Sequence, residues 1–297
     1  MKKIQGFVRR YPVLCFYILT FAFAWGGVLM VIGGPGNIPG TTAQTEALLG
    51  PVMLAWFAGP SVSSIVITAL ADGKTGLRAL GSRLAKWRVG IHWYAVALLA
   101  GPLIDLLALL LYSLFYPGHL PKIVTSPDKL SVLLFGIIAG LVGGGFLEEL
   151  GWTGFAVYHL RPRRSALQTA LIVGVLWGAV HFSFVFWMSG SMIGTIPLET
   201  FFIVRAVDIL LGGLPAFRVL MLWVYDRTSS LPVIMLMHAM LSASMLILAP
   251  ENISDVPFIV FCLFSSATRW IIVAVVAGLH RFLRPAATAN AGARLAA

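Results

Sequence analysis

Apolar runs long enough to cross hydrocarbon recur along the whole chain, at 11–32, 47–71, 92–116, 130–160, 166–188, 200–224, 231–248 and 258–279. An α-helix needs about 20 apolar residues to span a bilayer core. Inside lipid every backbone N–H and C=O must be satisfied within the segment, so such runs are helices. The expected fold is therefore all-α, a polytopic membrane bundle of about eight transmembrane helices. Composition agrees: of 297 residues only 11% are charged and 59% are hydrophobic, whereas soluble chains carry about 25% charged residues. The runs are spread evenly, so we read residues 1–285 as a single membrane-embedded domain. The Ala-rich remainder, 286–297, is expected to be a disordered tail.

Charge sets the topology. Lys and Arg cluster before the first run (Lys2, Lys3, Arg9, Arg10), after the second (Lys74, Arg78, Arg83, Lys86, Arg88) and after the fourth (Arg161, Arg163, Arg164). They recur after the sixth (Arg227) and at the end (Arg281, Arg284, Arg294), while the alternate loops hold only Lys122 and Lys129. The positive-inside rule then places both termini in the cytoplasm. The same alternation accounts for the net charge of +10, and no basic stripe with interleaved aromatics lies outside the spans, so no nucleic-acid partner is expected. The first run is too long for a signal-peptide core of about 7–15 residues and is read as a retained helix. Compact loops and the lack of an organelle signal point to a multi-pass protein of a prokaryotic plasma membrane. Cys15 and Cys262 fall near opposite faces, which argues against a disulfide. Trp87, Trp93 and Tyr94 read as interfacial anchors, and 74–88 as a basic loop resting its Leu77, Leu80 and Leu84 on lipid.

Within this frame four ionisable groups are out of place. Glu148 and Glu149 sit in the fourth run, His181 in the fifth and His238 in the seventh. Burying a charge in hydrocarbon costs several kcal/mol, so intramembrane ionisable residues are functional candidates. At ~1.5 Å rise per residue, Glu148, His181 and His238 lie roughly 20, 25 and 16 Å from the nearest basic end, close enough in depth to share one layer. A carboxylate and an imidazole around a water can activate it, directly or on a metal, and a second imidazole can meet a developing oxyanion. Amide or ester hydrolysis fits this set. Helix-packing hydrogen bonds and a proton relay remain the alternatives. Gly140, Gly143, Gly144 and Gly145, just before the pair, allow another helix to come close.

The motifs carry a resemblance. Glu148-Glu149-Leu-Gly-Trp-Thr-Gly154, Trp177-Gly-Ala-Val-His181 and the run from Arg227 through His238 to Ser242 together resemble the three motifs of the CPBP family of membrane proteases, the CAAX-protease and bacteriocin-processing group. Order, spacing and topology agree over about 130–248. The resemblance implies an intramembrane endopeptidase acting on a membrane-anchored, in some members prenylated CAAX-type, protein from a cavity open to the cytoplasm. It implies that Glu148 and His181 activate the water, Glu149 supports them and His238 helps stabilise the oxyanion, with Trp177, Thr153 and Ser242 at supporting positions. The cofactor is left open, a divalent metal such as zinc included. Two positions depart from the pattern: Thr153 stands where the family has Arg, and Ser242 where it has Asn. They open the alternative of a catalytically degenerate scaffold or an immunity-like protein of the same fold. Arg205 or Arg269 is the expected substitute countercharge, with pairing of Arg205 to Asp208 and of Arg269 to Asp105 as the plainer outcome.

Overall fold

The structure, a computed structural model, describes residues 2–280, so the expected tail at 286–297 lies outside the described residues. Among these residues regular structure is helical throughout, apart from one antiparallel bridge between Pro121 and Pro250. The helices are α1 (Lys2–Arg10), α2 (Pro12–Ile32), α3 (Thr42–Leu84), α4 (Ile91–Ser113) and α5 (Lys129–Leu160). Then follow α6 (Ala166–Val180), α7 (Phe182–Met188), α8 (Leu198–Leu211), α9 (Gly213–Thr228), α10 (Leu231–Leu248) and α11 (Asp255–His280). Among the described residues seven helical segments, α8 and α9 taken as one, are long and apolar enough to cross a membrane, or eight when the pair around the 45° bend after Val180 counts as one span. Leu103, Leu107, Leu110, Ile137, Ile138 and Leu141 are exposed on the outer surface of the bundle. In water such a surface would aggregate, whereas in a bilayer it is the solvated face. The chain is an integral multi-pass membrane protein.

Three helices differ from the expected runs, each for a local reason. α1, before the first span, is an amphipathic helix that buries Val8 and exposes Lys3, Arg9 and Arg10, with Arg9 Nε donating to the Ala71 carbonyl at 2.7 Å. The segment expected as a basic loop after the second run is helical as far as Leu84. Its break comes at Gly73, whose φ of 61° and ψ of −147° only glycine adopts without strain. Beyond the break, Leu80 is buried in a small cluster with Leu150 and Leu231, with Leu84 packed against it, so the bundle itself holds this stretch. The sixth run is two helices, α8 and α9, parted at Gly212 (φ −89°, ψ −125°). Capping boxes at Thr41/Gln44 and Ser165/Gln168 start α3 and α6, satisfying amide groups that would otherwise be orphaned.

The fourth span carries the irregularity that matters most. Gly140–Glu148 and Trp152–Val157 are wound as π-helix, with the α-helical turn Glu149–Gly151 between them. Widened turns of this kind are rare and recur at functional sites. Glycine permits the packing: a Cβ on Gly145 would sit 2.7 Å from the Met235 carbonyl, and one on Gly140 would strike the Ala239 carbonyl. The backbones of α5 and α10 are thus in contact, as small-residue stripes allow in membranes. On the opposite side a Cβ on Gly151 would lie 2.7 Å from the Pro60 side chain, and Ser61 Oγ donates to the Leu147 carbonyl. The Glu pair is therefore clamped between α3 and α10.

Candidate active site

Adjacent residues on a helix point about 100° apart, and the two carboxylates find different company. Glu148 is 3% exposed and its Oε2 accepts from two indoles, Trp152 Nε1 at 2.8 Å and Trp177 Nε1 at 2.7 Å. Its Oε1 takes part in no hydrogen bond among the described residues, which leaves one acceptor oxygen for a water. Glu149 is fully buried and has both oxygens occupied. Oε1 accepts from Arg218 Nη2 at 2.8 Å and His238 Nδ1 at 2.7 Å, while Oε2 accepts from Arg218 Nη1 at 3.0 Å and the Thr153 hydroxyl. A carboxylate saturated in this way organises its neighbours and has no lone pair to spare for a reactant.

The histidines are oriented through their Nδ1 atoms. His181 Nδ1 lies 2.7 Å from the Trp177 carbonyl. A carbonyl only accepts, so Nδ1 carries the proton and Nε2 the lone pair. His238 Nδ1 faces the Glu149 carboxylate by the same logic, and its Nε2 lies on the side of Gly144, where a Cβ would be 3.0 Å away. His181 ends α6, at the bend. The Val180 carbonyl beside it accepts from two indoles, Trp25 Nε1 at 3.1 Å and Trp56 Nε1 at 3.2 Å, so the broken helix leaves no orphan there.

Trp177 joins the set. Its ring meets His181 edge-on at 5.7 Å and His238 at 4.8 Å, its Nε1 holds Glu148, and the Arg218 guanidinium lies 4.5 Å over its face. Glu148, His181 and His238 thus all adjoin Trp177. Ser242, part-buried, shares the Gly144 side of His238, since a Cβ on Gly144 would strike its Oγ. Among the described residues no three His, Cys, Asp or Glu side chains are arranged to hold a metal ion.

The expected countercharges lie elsewhere. Arg205 pairs with Asp208 and donates to Cys262 Sγ at 3.0 Å. Arg269 pairs with Asp105, whose other oxygen accepts from Ser244 at 2.6 Å. Each has a carboxylate nearer than Glu149, so neither replaces the missing arginine. Arg218 does so, from 69 residues further along the chain, at 1% exposure. The available signal was a second arginine in the sixth run with no acidic residue a turn away, a position where a cation requires a partner.

Among the described residues, cavities at two places flank the bundle. One of about 540 Å³, lined by Arg9, Asp72, Arg83, Tyr158 and His159 among others, touches none of the predicted site residues. The other, about 320 Å³ and almost wholly apolar, lies between α3 and α5 along Met53, Phe57, Phe135, Val142, Gly143 and Leu147. Its wall residues Gly143 and Leu147 are neighbours in sequence of Gly144 and Glu148.

Comparison with known proteins gives two findings. A family model for type II CAAX prenyl endopeptidase Rce1-like proteins matches residues 129–244. CAAX prenyl protease 2 of Methanococcus maripaludis is 23% identical over 184 residues, 60% of this chain and 64% of the relative. The match therefore spans a little under two thirds of that protein's length. The segment matched by the family runs from the start of α5 into α10 and contains Glu148, Glu149, His181, Arg218 and His238.

Proposed function

We propose that this chain, whose residues 129–244 match a model for type II CAAX prenyl endopeptidase Rce1-like proteins, is a CPBP-type intramembrane endopeptidase that cleaves a membrane-anchored, CAAX-type protein. The observation that carries the reading is the division of labour between the two carboxylates: Glu149 saturated by Arg218, Thr153 and His238, and Glu148 with one oxygen free. Water held by Glu148 Oε1 and the His181 Nε2 lone pair gives its proton to Glu148 as its oxygen adds to the scissile carbonyl. The developing oxyanion is met from the Gly144 side by Ser242 Oγ and by His238, which donates from Nε2 when protonated. Collapse breaks the C–N bond, and the proton held by Glu148 passes to the leaving amine. Glu149 takes no proton in this scheme and orients the His238 ring. The apolar groove between α3 and α5 suits the lipid anchor of such a substrate. With the basic loops inward, both termini and the mouth of the site face the cytoplasm, in a prokaryotic plasma membrane.

Cleavage of a lipid-anchored peptide library by purified wild-type protein beside Glu148→Gln tests the reading. Cleavage by wild type that disappears in the variant is expected, and chelator treatment of the same reaction reads metal dependence. A well-folded wild type that cleaves nothing in the library would move the assignment to a non-catalytic protein of the same fold.

A further inference from the structure

Among the described residues Arg218 is the cation hydrogen-bonded to Glu149. Its guanidinium forks onto both oxygens of Glu149 at 2.8 and 3.0 Å, and Nη1 also reaches Thr153 Oγ1 at 3.4 Å. The flat side of the same group covers the Trp177 ring at 4.5 Å. A bidentate fork constrains a carboxylate in both position and plane. Glu149 in turn holds the Nδ1 proton of His238, and the hydrogen bond on one ring nitrogen decides which tautomer the other presents. Position 153 lies one turn beyond Glu149 and shares its carboxylate, so an arginine there would reach these oxygens from the same helix.

We propose that Arg218 is a positioning residue. From the sixth membrane segment it supplies the countercharge that orders Glu149, and through Glu149 it sets the ring orientation and tautomer of His238. Thr153 reaches the same carboxylate with a short hydroxyl from α5, while the cation reaches it from α9. Activity and the cation at 218 are therefore coupled to the residue at 153.

The test uses the full chain in detergent, labelled with nitrogen-15 histidine, as wild type, Arg218→Gln, Arg218→Lys and the double variant Thr153→Arg/Arg218→Gln. The His238 nitrogen resonances, assigned by their absence in His238→Asn, report the tautomer whether or not the protein cleaves anything. This arm is independent of the proposed activity, while the kinetic arm rests on it. Arg218→Gln is expected to lose the single Nδ1-protonated signature and to lower kcat about 100-fold, the scale of a ~1 Å misplacement, with little change in KM. The double variant is expected to restore the signature and to regain about tenfold of the lost kcat. Arg218→Lys, with charge but no fork, is expected to fall between, and it carries the comparison if Arg218→Gln does not fold. An unchanged His238 signature in a folded Arg218→Gln or Arg218→Lys protein overturns the proposal, as does a double variant that recovers neither signature nor rate. Wild-type protein that shows the signature but cleaves nothing would count against the protease reading and leave the positioning role standing.

Discussion

Replacing Gly144 by alanine adds a single methyl at a crowded point between α5 and α10. Its carbon would lie 3.0 Å from both Cδ2 and Nε2 of His238 and closer still to Ser242 Oγ. Non-bonded carbon contacts are comfortable at about 3.5–4.0 Å, so ring and methyl must separate by roughly 0.5–1 Å. The ring is tied to Glu149 at 2.7 Å through Nδ1, and α5 is tied to α3 at Gly151, so neither side yields freely. Overpacking of this kind costs about 1–3 kcal/mol. At roughly 2–4 °C per kcal/mol for a domain of this size, the melting temperature should fall by about 2–12 °C. The kinetic effect should be larger in proportion, because a ~1 Å displacement of a reacting group costs up to about 100-fold. Cleavage of a lipid-anchored peptide should show kcat down 10- to 100-fold and KM within about threefold, while adding Ser242→Gly to make room should recover part of the melting temperature but not kcat, since it also removes the Ser242 hydroxyl. Unchanged kcat in a protein that melts several degrees lower would refute the argument, since it would mean that His238 Nε2 does not face the reacting centre.

Three further outcomes follow from the same geometry. Arg269→Gln strands Asp105 in the bundle and should cost about 3–5 kcal/mol, read as a lower melting temperature with kcat per folded molecule unchanged; Asp105→Asn in the same chain should recover part of the loss. Trp177→Phe removes the indole donor at 2.7 Å from Glu148 Oε2 and should lower kcat about tenfold by loosening that carboxylate, whereas an unchanged rate would deny Trp177 a part in orienting it. Asp128 caps α5, and the Ser131 hydroxyl and amide hold its carboxyl below the usual carboxylate range. Its contribution is thus present above the ordinary pKa of about 3.9 and disappears as pH falls through the lower folded value. The stability difference between wild type and Asp128→Ala should be flat at neutral pH and vanish in strong acid, as melting curves across pH would show.

The catalytic candidates were legible in the chain because lipid makes them expensive. A carboxylate pair or an imidazole within an apolar run needs a reason to be there, and counting residues from the basic loops set the depths at which Glu148, His181 and His238 meet around Trp177. The countercharge was not legible in the same way. Arg205, Arg218 and Arg269 all sit in apolar runs, and the chain alone points to Arg205 or Arg269, not Arg218, as the partner for Glu149. Arg205 has an aspartate one turn away and Arg269 finds Asp105 across the bundle, so both are consumed. What remained for Glu149 was Arg218. Helix continuity was similarly underdetermined, since Gly73 and Gly212 are glycines among many and only packing shows which of them break the helix.

The sequence by itself determined the solvent and the repertoire: apolar runs of spanning length must be membrane helices, the loop charges favour one topology, and the placement of Glu and His within the runs names the chemistry the bundle could perform. Only the tertiary structure decided which lone pairs stay free. Whether a buried carboxylate accepts a proton from water or serves as a fixed anchor depends on how many donors converge on it from other helices. For Glu149 those donors are Arg218 on α9 and His238 on α10, joined by Thr153 on its own helix, while for Glu148 they stop at two indoles. Adjacent residues of one type acquire opposite roles in this way, because hydrogen-bond saturation is a property of the helices packed around a group and is not written in the segment that carries it.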